Sequence, residues 1–151
     1  MKKTFLALMA ILVFAGLTYA QADPVKWSFS AKKVSDKVYD VYMTAQLNTG
    51  WHIYSQTQTK DAIALPTEFS FTSNPLLTTT GKVKEQGKME KFYDKELKVS
   101  ANQYSKTVSF VQRVTLKTKV KTNLAGVVEY QTCNDKMCLP PKKVNFKVPL
   151  G

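Results

Sequence analysis

The sequence predicts an all-β domain that folds as an antiparallel β-sandwich. Apolar and polar residues alternate with a period of two in several short runs, which is typical of strands with one buried face. Turn sequences such as Asn48-Thr49-Gly50 and Asn74-Pro75 separate these runs. After the first twenty residues the chain shows neither helical spacing of apolar residues nor strong helix-capping signals.

The first half of the domain contains three of the predicted strands and a polar loop. Alternating runs at residues 25–30 and 38–47 predict the first two strands, each with an apolar residue at every second position. After the turn at residues 48–50, a short aromatic stretch covers residues 51–54. A polar loop follows at residues 55–61.

The second half contains a further strand, a hairpin, the longest alternating run and a cysteine hairpin. Phe69 and Phe71 mark the strand, residues 88–99 are predicted to turn at Asp94-Lys95, and residues 108–116 form the long run. Roughly eight or nine short strands with regular turns predict an immunoglobulin-like sandwich. The Cys…Trp…Cys arrangement of antibody domains is absent.

The N-terminus has the features of a bacterial secretory signal peptide. Lys2 and Lys3 precede an apolar run at residues 5–17, and small residues follow around Ala20-Gln21-Ala22. The apolar run is shorter than a membrane span requires. We therefore expect a signal peptide over residues 1–20, cleaved after Ala20 or Ala22, and one exported, soluble domain over residues 23–151.

The charge of the chain is strongly positive but dispersed. The formal net charge is +11, and removal of Lys2 and Lys3 leaves +9. No run of lysines is longer than two. This pattern favours solubility and weak attraction to acidic surfaces over a specific polyanion site, so we predict no nucleic-acid partner.

The segment from Tyr130 to Pro141 holds the only two cysteines, Cys133 and Cys138. Asn-Asp-Lys between them is a turn sequence, so a β-hairpin with a four-residue loop is predicted. Residues that face each other at the foot of such a hairpin have Cα atoms roughly 4.5–5.5 Å apart. This separation allows a disulfide, and an exported protein meets an oxidising environment.

Two functions for this disulfide remain open at this point. A ring so small contributes only about 2 kcal/mol to stability, and it joins strands that are already hydrogen-bonded. It could therefore open and close without unfolding of the domain, which suits a redox role. The alternative is an exported immunoglobulin-like binding or assembly module in which the disulfide is purely structural.

Other chemistries have little support. His52 is the only histidine, and a lone histidine beside aromatic residues is typical of a surface or packing position. Together with Cys133 and Cys138 it makes at most three ligands, so neither a metal nor another cofactor is predicted. A Cys–His hydrolase is also disfavoured, because the second cysteine would oxidise the nucleophile.

Three segments carry a resemblance to a known family. The segment Tyr130-Gln131-x-Cys133…Cys138-x-Pro140-Pro141 resembles the N-terminal periplasmic domain of the thiol:disulfide interchange protein DsbD. Gly50-Trp51-His52-Ile53-Tyr54 is similar to the family segment beside the active site, and Glu90-Lys91-Phe92-Tyr93 is similar to its cap loop. The resemblance implies an immunoglobulin-like sandwich in the periplasm that shuttles electrons through one cysteine pair.

The resemblance also implies roles for individual residues. Cys138 corresponds to the attacking cysteine and Cys133 to the resolving one. The remaining site residues would surround the pair, with Phe92 and Tyr93 as a lid, Trp51 and Tyr54 as lining, and Glu90 as a group that tunes the pKa of a cysteine. The implied partners are thioredoxin-like or other periplasmic redox proteins, joined through transient mixed disulfides, and a membrane electron-transfer protein.

The chain departs from the family pattern in three respects. Four residues separate the cysteines, where the family pattern has five. Lys91 stands where the family often has a second acidic residue, and a positive charge there favours a thiolate. The 151 residues contain neither the transmembrane nor the thioredoxin-like domain of the full protein, so we expect a stand-alone copy of the module.

Overall fold

The structure is a computed structural model that describes residues 23–151. This part of the chain contains nine β-strands, all paired in antiparallel fashion, and no helix. The predicted all-β class is therefore confirmed. The predicted signal peptide lies outside the described residues. Within residues 23–151, no helix has the length and apolar character that crossing a bilayer requires.

The strands follow the predicted order along the chain. They are β1 (Val25–Lys33), β2 (Val38–Leu47), β3 (His52–Tyr54), β4 (Glu68–Phe71), β5 (Leu77–Asp94), β6 (Val99–Leu116), β7 (Thr122–Tyr130), β8 (Thr132–Cys133) and β9 (Lys142–Leu150).

The nine strands form two sheets. The first sheet is built around β6, which pairs along one side with β5 and along the other with β2 and then β3. Strand β1 extends this sheet beyond β2, and β8 extends it beyond β3. The second sheet has the order β4-β7-β9. The first sheet thus has one end built on β1 and β2 and another built on β3 and β8.

The main core lies between the two sheets. Alternate residues of β2 and β6 contribute Val41, Met43 and Phe110, and the second sheet contributes Leu124 and Val128; each is fully buried. Burial of one such apolar side chain contributes roughly 1.5–3 kcal/mol. The alternating runs predicted at residues 38–47 and 108–116 match the core residues that β2 and β6 contribute.

The hairpin of β5 and β6 is longer than the sequence pattern predicts. Each strand has 18 residues, so the predicted hairpin at residues 88–99 and the predicted run at 108–116 are parts of one element. The turn lies at residues 95–98, beside the predicted Asp94-Lys95. The Asp94 Oδ1 atom accepts hydrogen bonds from the backbone N–H groups of Glu96 and Leu97, at 2.8 and 2.9 Å.

An irregularity divides this long hairpin into two halves. The pairing register shifts between Gly87 and Met89, and across from it Lys106 has a positive φ of 73°. At this position the partner of β6 changes from β2 to β3. One half of the hairpin therefore belongs to the main core, and the other half extends to the end of the sheet that carries the cysteines.

The cysteine segment changes from one sheet to the other. Strand β7 ends at Tyr130 in the second sheet, and after Gln131 the chain enters β8, which pairs with β3 in the first sheet. The chain returns to the second sheet in β9. The predicted cysteine hairpin is present, but it lies in a different sheet from the strands on either side of it.

Candidate functional site

Cys133 and Cys138 form a disulfide that closes a loop of four residues. Their Cα atoms are 4.0 Å apart, and the two residues face each other in an isolated antiparallel bridge. The Asn134 Oδ1 atom accepts hydrogen bonds from the N–H groups of Lys136 and Met137, both at 2.9 Å. The Asn134 N–H group donates to the Met137 carbonyl oxygen at 2.9 Å. The loop is therefore held by bonds within itself, and its predicted length is confirmed.

The two cysteines differ in exposure. Cys133 lies in β8 with 2% of its surface accessible, whereas Cys138 is exposed. The Leu139 N–H group donates to the Thr132 carbonyl oxygen at 2.9 Å, which fixes the chain just beyond Cys138. A protein that approaches from solvent can therefore reach Cys138 before Cys133.

Pairing between strands assembles the surroundings of the disulfide on the outer face of the first sheet. His52 in β3 is opposite Cys133 on one side and opposite Ser105 on the other. In the next row, Tyr54 is opposite Gln103, which is itself opposite Glu90 of β5. Side chains at opposed positions of neighbouring strands lie on the same face and in contact range.

A small hydrophobic cluster supports this outer face. Tyr54, Ala101 and Cys133 are each at least 93% buried, and Ala64 packs against them. The main core between the sheets contains none of these residues. The disulfide thus belongs to a cluster of its own, separate from the packing that holds the sandwich together.

Two depressions flank Cys138. One has a volume of about 290 Å³ and the other of about 340 Å³. Five residues border both of them, namely Tyr54, Phe92, Asp94, Leu97 and Cys138. The first also extends to Ile63 and Gln131, and the second extends to His52, Cys133 and the loop of residues 134–137.

The structure brings some of the predicted site residues to the disulfide and leaves others away from it. Tyr54 and Phe92 border both depressions, and Glu90 lies in the adjoining row, where its carboxylate accepts a hydrogen bond from Ser105 Oγ at 2.9 Å. Trp51 and Tyr93 border neither depression. Tyr93 is adjacent to Phe92 in a strand, so its side chain points to the opposite face.

The cap segment differs from the expected loop. Phe92 and Tyr93 lie in β5, where they pair with Ala101 and Ser100 of β6. The hairpin continues to Asp94 before it turns, so the aromatic pair sits on a strand next to the turn. Phe92 nevertheless keeps 49% of its surface exposed, because it lies on the solvent face of the sheet.

Sequence reasoning missed His52 as a residue of the site. Its sequence context is typical of a packing residue, yet it is the cross-strand neighbour of Cys133 and borders the larger depression. One signal could have found it. His52 and Tyr54 are two positions apart in β3 and therefore lie on the same face, and Tyr54 is predicted to line the site. Leu97, Met137 and Asp135 were also missed, because their positions depend on the hairpin turn and the cysteine loop.

The electrostatic environment of His52 comes from burial and two carboxylates. Burial lowers the pKa of His52 below its ordinary value, and the negative charges of Asp135 and Glu90 act in the opposite direction. The His52 Nε2 atom is 3.3 Å from the Tyr54 hydroxyl oxygen. Burial also raises the pKa of Tyr54, which keeps that hydroxyl protonated.

A carboxylate anchors the loop that follows β3. Glu85 of β5 accepts hydrogen bonds from Ser55 Oγ at 2.8 Å, from the Gln56 N–H group at 2.6 Å and from the Tyr104 hydroxyl at 2.6 Å. Burial and the neighbouring Glu85 raise the pKa of Tyr104, so its hydroxyl remains a donor. These bonds hold the start of the segment that leads to Ile63 and Ala64 beside the site.

The described residues contain no cluster of three or more His, Cys, Asp or Glu side chains that could hold a metal ion. The sulfur atoms of the pair can perform thiol–disulfide exchange, with proton transfer by the groups around them. Cys138 can exchange with an external thiol or disulfide, and Cys133 lies beside it to close the internal bond again.

Comparisons with known proteins relate the chain to one family. The family described as "Thiol:disulfide interchange protein DsbD, N-terminal" matches residues 19–150. No curated protein matches the chain.

Among solved structures, the reduced N-terminal domain of DsbD from Neisseria meningitidis has 16% identity and a TM-score of 0.53, with 82% of this chain and 83% of that chain covered. The N-terminal periplasmic domain of ScsB from Proteus mirabilis has 19% identity and a TM-score of 0.52, with 83% and 44% covered. A complex of the DsbD and PilB N-terminal domains from Neisseria meningitidis has 16% identity and a TM-score of 0.45, with 79% and 80% covered. The first of these likenesses supports the predicted immunoglobulin-like sandwich.

Proposed function

The chain belongs to the family of DsbD N-terminal domains, and on this basis we propose that it is a periplasmic thiol–disulfide exchange module that carries electrons to or from partner proteins. The family and the disulfide together indicate thiol–disulfide exchange. One observation above all supports the proposal. The exposed Cys138 borders two depressions, while its disulfide partner Cys133 is buried beside it.

The reaction begins with the reduced pair and the disulfide of a partner. The thiolate of Cys138 attacks one sulfur of that disulfide, so a Cys138–partner bond forms and the partner's second sulfur leaves as a thiolate. The Cys133 sulfur then attacks Cys138, which forms the internal disulfide and releases the partner's first sulfur. Two electrons and two protons pass to the partner, which leaves as a dithiol.

The difference in exposure supports this order of attack. Cys138 is exposed and can meet a bulky partner, whereas Cys133 is accessible over only 2% of its surface. Cys133 needs to reach only Cys138, which already faces it across the loop. Burial also limits the reaction of the Cys133 sulfur with other thiols and disulfides.

Exposed apolar side chains around Cys138 provide a surface for a partner. Ile63, Leu97 and Met137 are exposed over 76%, 65% and 46% of their surfaces, and all three border the depressions. Exposed apolar groups that gather in this way are typical of protein-binding sites. The proposed partners are thioredoxin-like or other periplasmic redox proteins and a membrane electron-transfer protein.

Measurement of the equilibrium potential of the Cys133–Cys138 pair tests this function. The protein would be equilibrated in thiol/disulfide buffers, and free thiols would be trapped and counted. We expect a potential above about −300 mV, which is the range of labile and catalytic disulfides, with the fold intact after reduction. A potential well below this value, or unfolding on reduction, would support the alternative of a binding or assembly module with a structural disulfide.

A further inference from the structure

His52 lies where the exchange reaction needs a proton acceptor. It is opposite Cys133 in the pairing of β3 with β8, and both residues border the larger depression. In the opposed positions of antiparallel strands, Cβ atoms are roughly 4.5–5.5 Å apart. An imidazole at this distance can reach the sulfur of its neighbour.

Every element around His52 contributes a group that bears on its protonation. Tyr54 of its own strand lies 3.3 Å from Nε2, β5 contributes Glu90, and the cysteine loop contributes Asp135 and Lys136. Strand β6 contributes Ser105, which is uncharged and donates its hydroxyl hydrogen to Glu90. Two carboxylates and one lysine thus surround the imidazole.

We propose that His52 accepts the proton of the Cys133 thiol when Cys133 resolves the mixed disulfide. This inference rests on the proposed function, because it concerns the second step of that exchange. It assigns to His52 a role that differs from packing: the imidazole acts as a general base in one direction and as a general acid in the other.

The step is balanced in atoms and electrons. The Cys133 thiol gives its proton to the imidazole, and its sulfur attacks Cys138 as the bond between Cys138 and the partner breaks. The partner's sulfur leaves as a thiolate and takes the proton from the imidazolium. In the reverse direction the imidazolium protonates the Cys133 sulfur as it leaves the internal disulfide.

Burial explains why Cys133 needs this assistance. An apolar environment disfavours a thiolate, and Cys133 packs against Tyr54 and Ala101 in a buried cluster. Burial likewise keeps His52 uncharged near neutral pH, so that it is free to accept a proton. Once formed, the imidazolium is stabilised by the charges of Asp135 and Glu90.

The resolving step can be measured separately from the first attack. The reduced protein would be mixed with oxidised glutathione between pH 5 and pH 9, quenched with acid, and analysed by mass spectrometry after thiol trapping. The glutathione adduct on Cys138 reports the first step, and its conversion to the internal disulfide reports the second. For the unmodified protein, we expect the second rate to rise with pH, to inflect below pH 6.5, the ordinary pKa of histidine, and then to flatten.

Two variants separate base catalysis from packing. His52→Gln retains polarity and His52→Phe retains a ring, but neither supplies a base. We expect both to slow the second step at pH 7 by about ten-fold or more and to remove the inflection, while adduct formation changes by less than about two-fold. Far-ultraviolet circular dichroism of each variant checks that the sandwich is folded.

Three results would overturn the inference. One is a wild-type second step that rises with unit slope across the whole pH range, a result that does not depend on any variant. Another is a pH profile of the second step that is unchanged in His52→Gln. The third is a second step that is as fast in His52→Phe as in the wild-type protein, which would indicate that His52 acts through packing alone. The proposed function fails on a different result, namely an equilibrium potential well below the range of labile and catalytic disulfides or unfolding on reduction, so the two failures are distinguishable.

Discussion

Cys133 and Cys138 are five positions apart in sequence, yet the fold gives them opposite surroundings. Cys133 is buried against Tyr54 and Ala101, and Cys138 is exposed at the edge of two depressions. This asymmetry at the scale of single residues assigns different roles to two chemically identical side chains.

The asymmetry predicts which cysteine forms a stable complex with a partner. In Cys133→Ser, Cys138 can still attack but nothing resolves the product, so we expect mixed disulfides to accumulate. In Cys138→Ser, the remaining thiol is buried and we expect at least about ten-fold less adduct. Non-reducing electrophoresis of extracts from cells that express each variant measures this difference. Equal trapping by the two variants would contradict the assigned roles.

Only part of the candidate site could be predicted from short stretches of sequence. The cysteine pair and its four-residue loop could be predicted from nearby residues, whereas only the family resemblance predicts Tyr54 in the lining. The position of His52 opposite Cys133 could not be predicted, because this pairing joins residues that are 81 positions apart in different strands. Pairing of that kind is set by the whole fold, and the local sequence indicates only that His52 shares a face of its strand with Tyr54.

At the scale of elements, the hairpin of β5 and β6 extends beyond the core to carry Phe92 to the site. Residues 100–107 are mostly polar, and the register shift near Gly87 interrupts the alternation. These two features explain why the sequence predicted separate elements where one continuous hairpin exists. The change of sheet at Gln131 was missed for a related reason, since β8 has only two residues.

The position of Phe92 on the hairpin predicts that its side chain acts as a lid over the disulfide, and the neighbouring Tyr93 offers a matched control. Phe92 borders both depressions next to Cys138, while Tyr93 points away. We therefore expect Phe92→Ala to raise the rate of reaction of the reduced pair with a small disulfide several-fold, and Tyr93→Ala to leave it within about two-fold. Stopped-flow measurement with oxidised glutathione provides the comparison. An unchanged rate in Phe92→Ala, or an equal change in both variants, would contradict the lid.

At the scale of the whole molecule, the redox centre and the stabilising core are separate. The main core lies between the sheets and contains neither cysteine, while Cys133 belongs to a small cluster on the outer face. The overall class could be predicted from sequence because buried residues alternate with exposed or half-buried ones along most of β2, β7 and β9. The division between the two hydrophobic clusters could not be predicted from sequence, because it depends on which face of each strand packs against the other sheet.

This separation predicts the effect of reduction on stability. A ring closed by residues five positions apart restricts the unfolded chain only slightly, so we expect reduction to lower the free energy of unfolding by about 2 kcal/mol. Urea unfolding followed by circular dichroism, with and without reductant, measures the difference. The double variant Cys133→Ala with Cys138→Ala serves as the control and should match the reduced protein. A loss of the folded state on reduction would show that the disulfide is a structural necessity.

The loop between the cysteines is held by Asn134 through bonds to Lys136 and Met137. The sandwich takes no part in these bonds. The loop between the cysteines can therefore change in length without a change in the architecture of the domain. A protein designer could exploit the same freedom, exchanging this segment for loops of other lengths to obtain a graded set of redox modules on one unchanged scaffold.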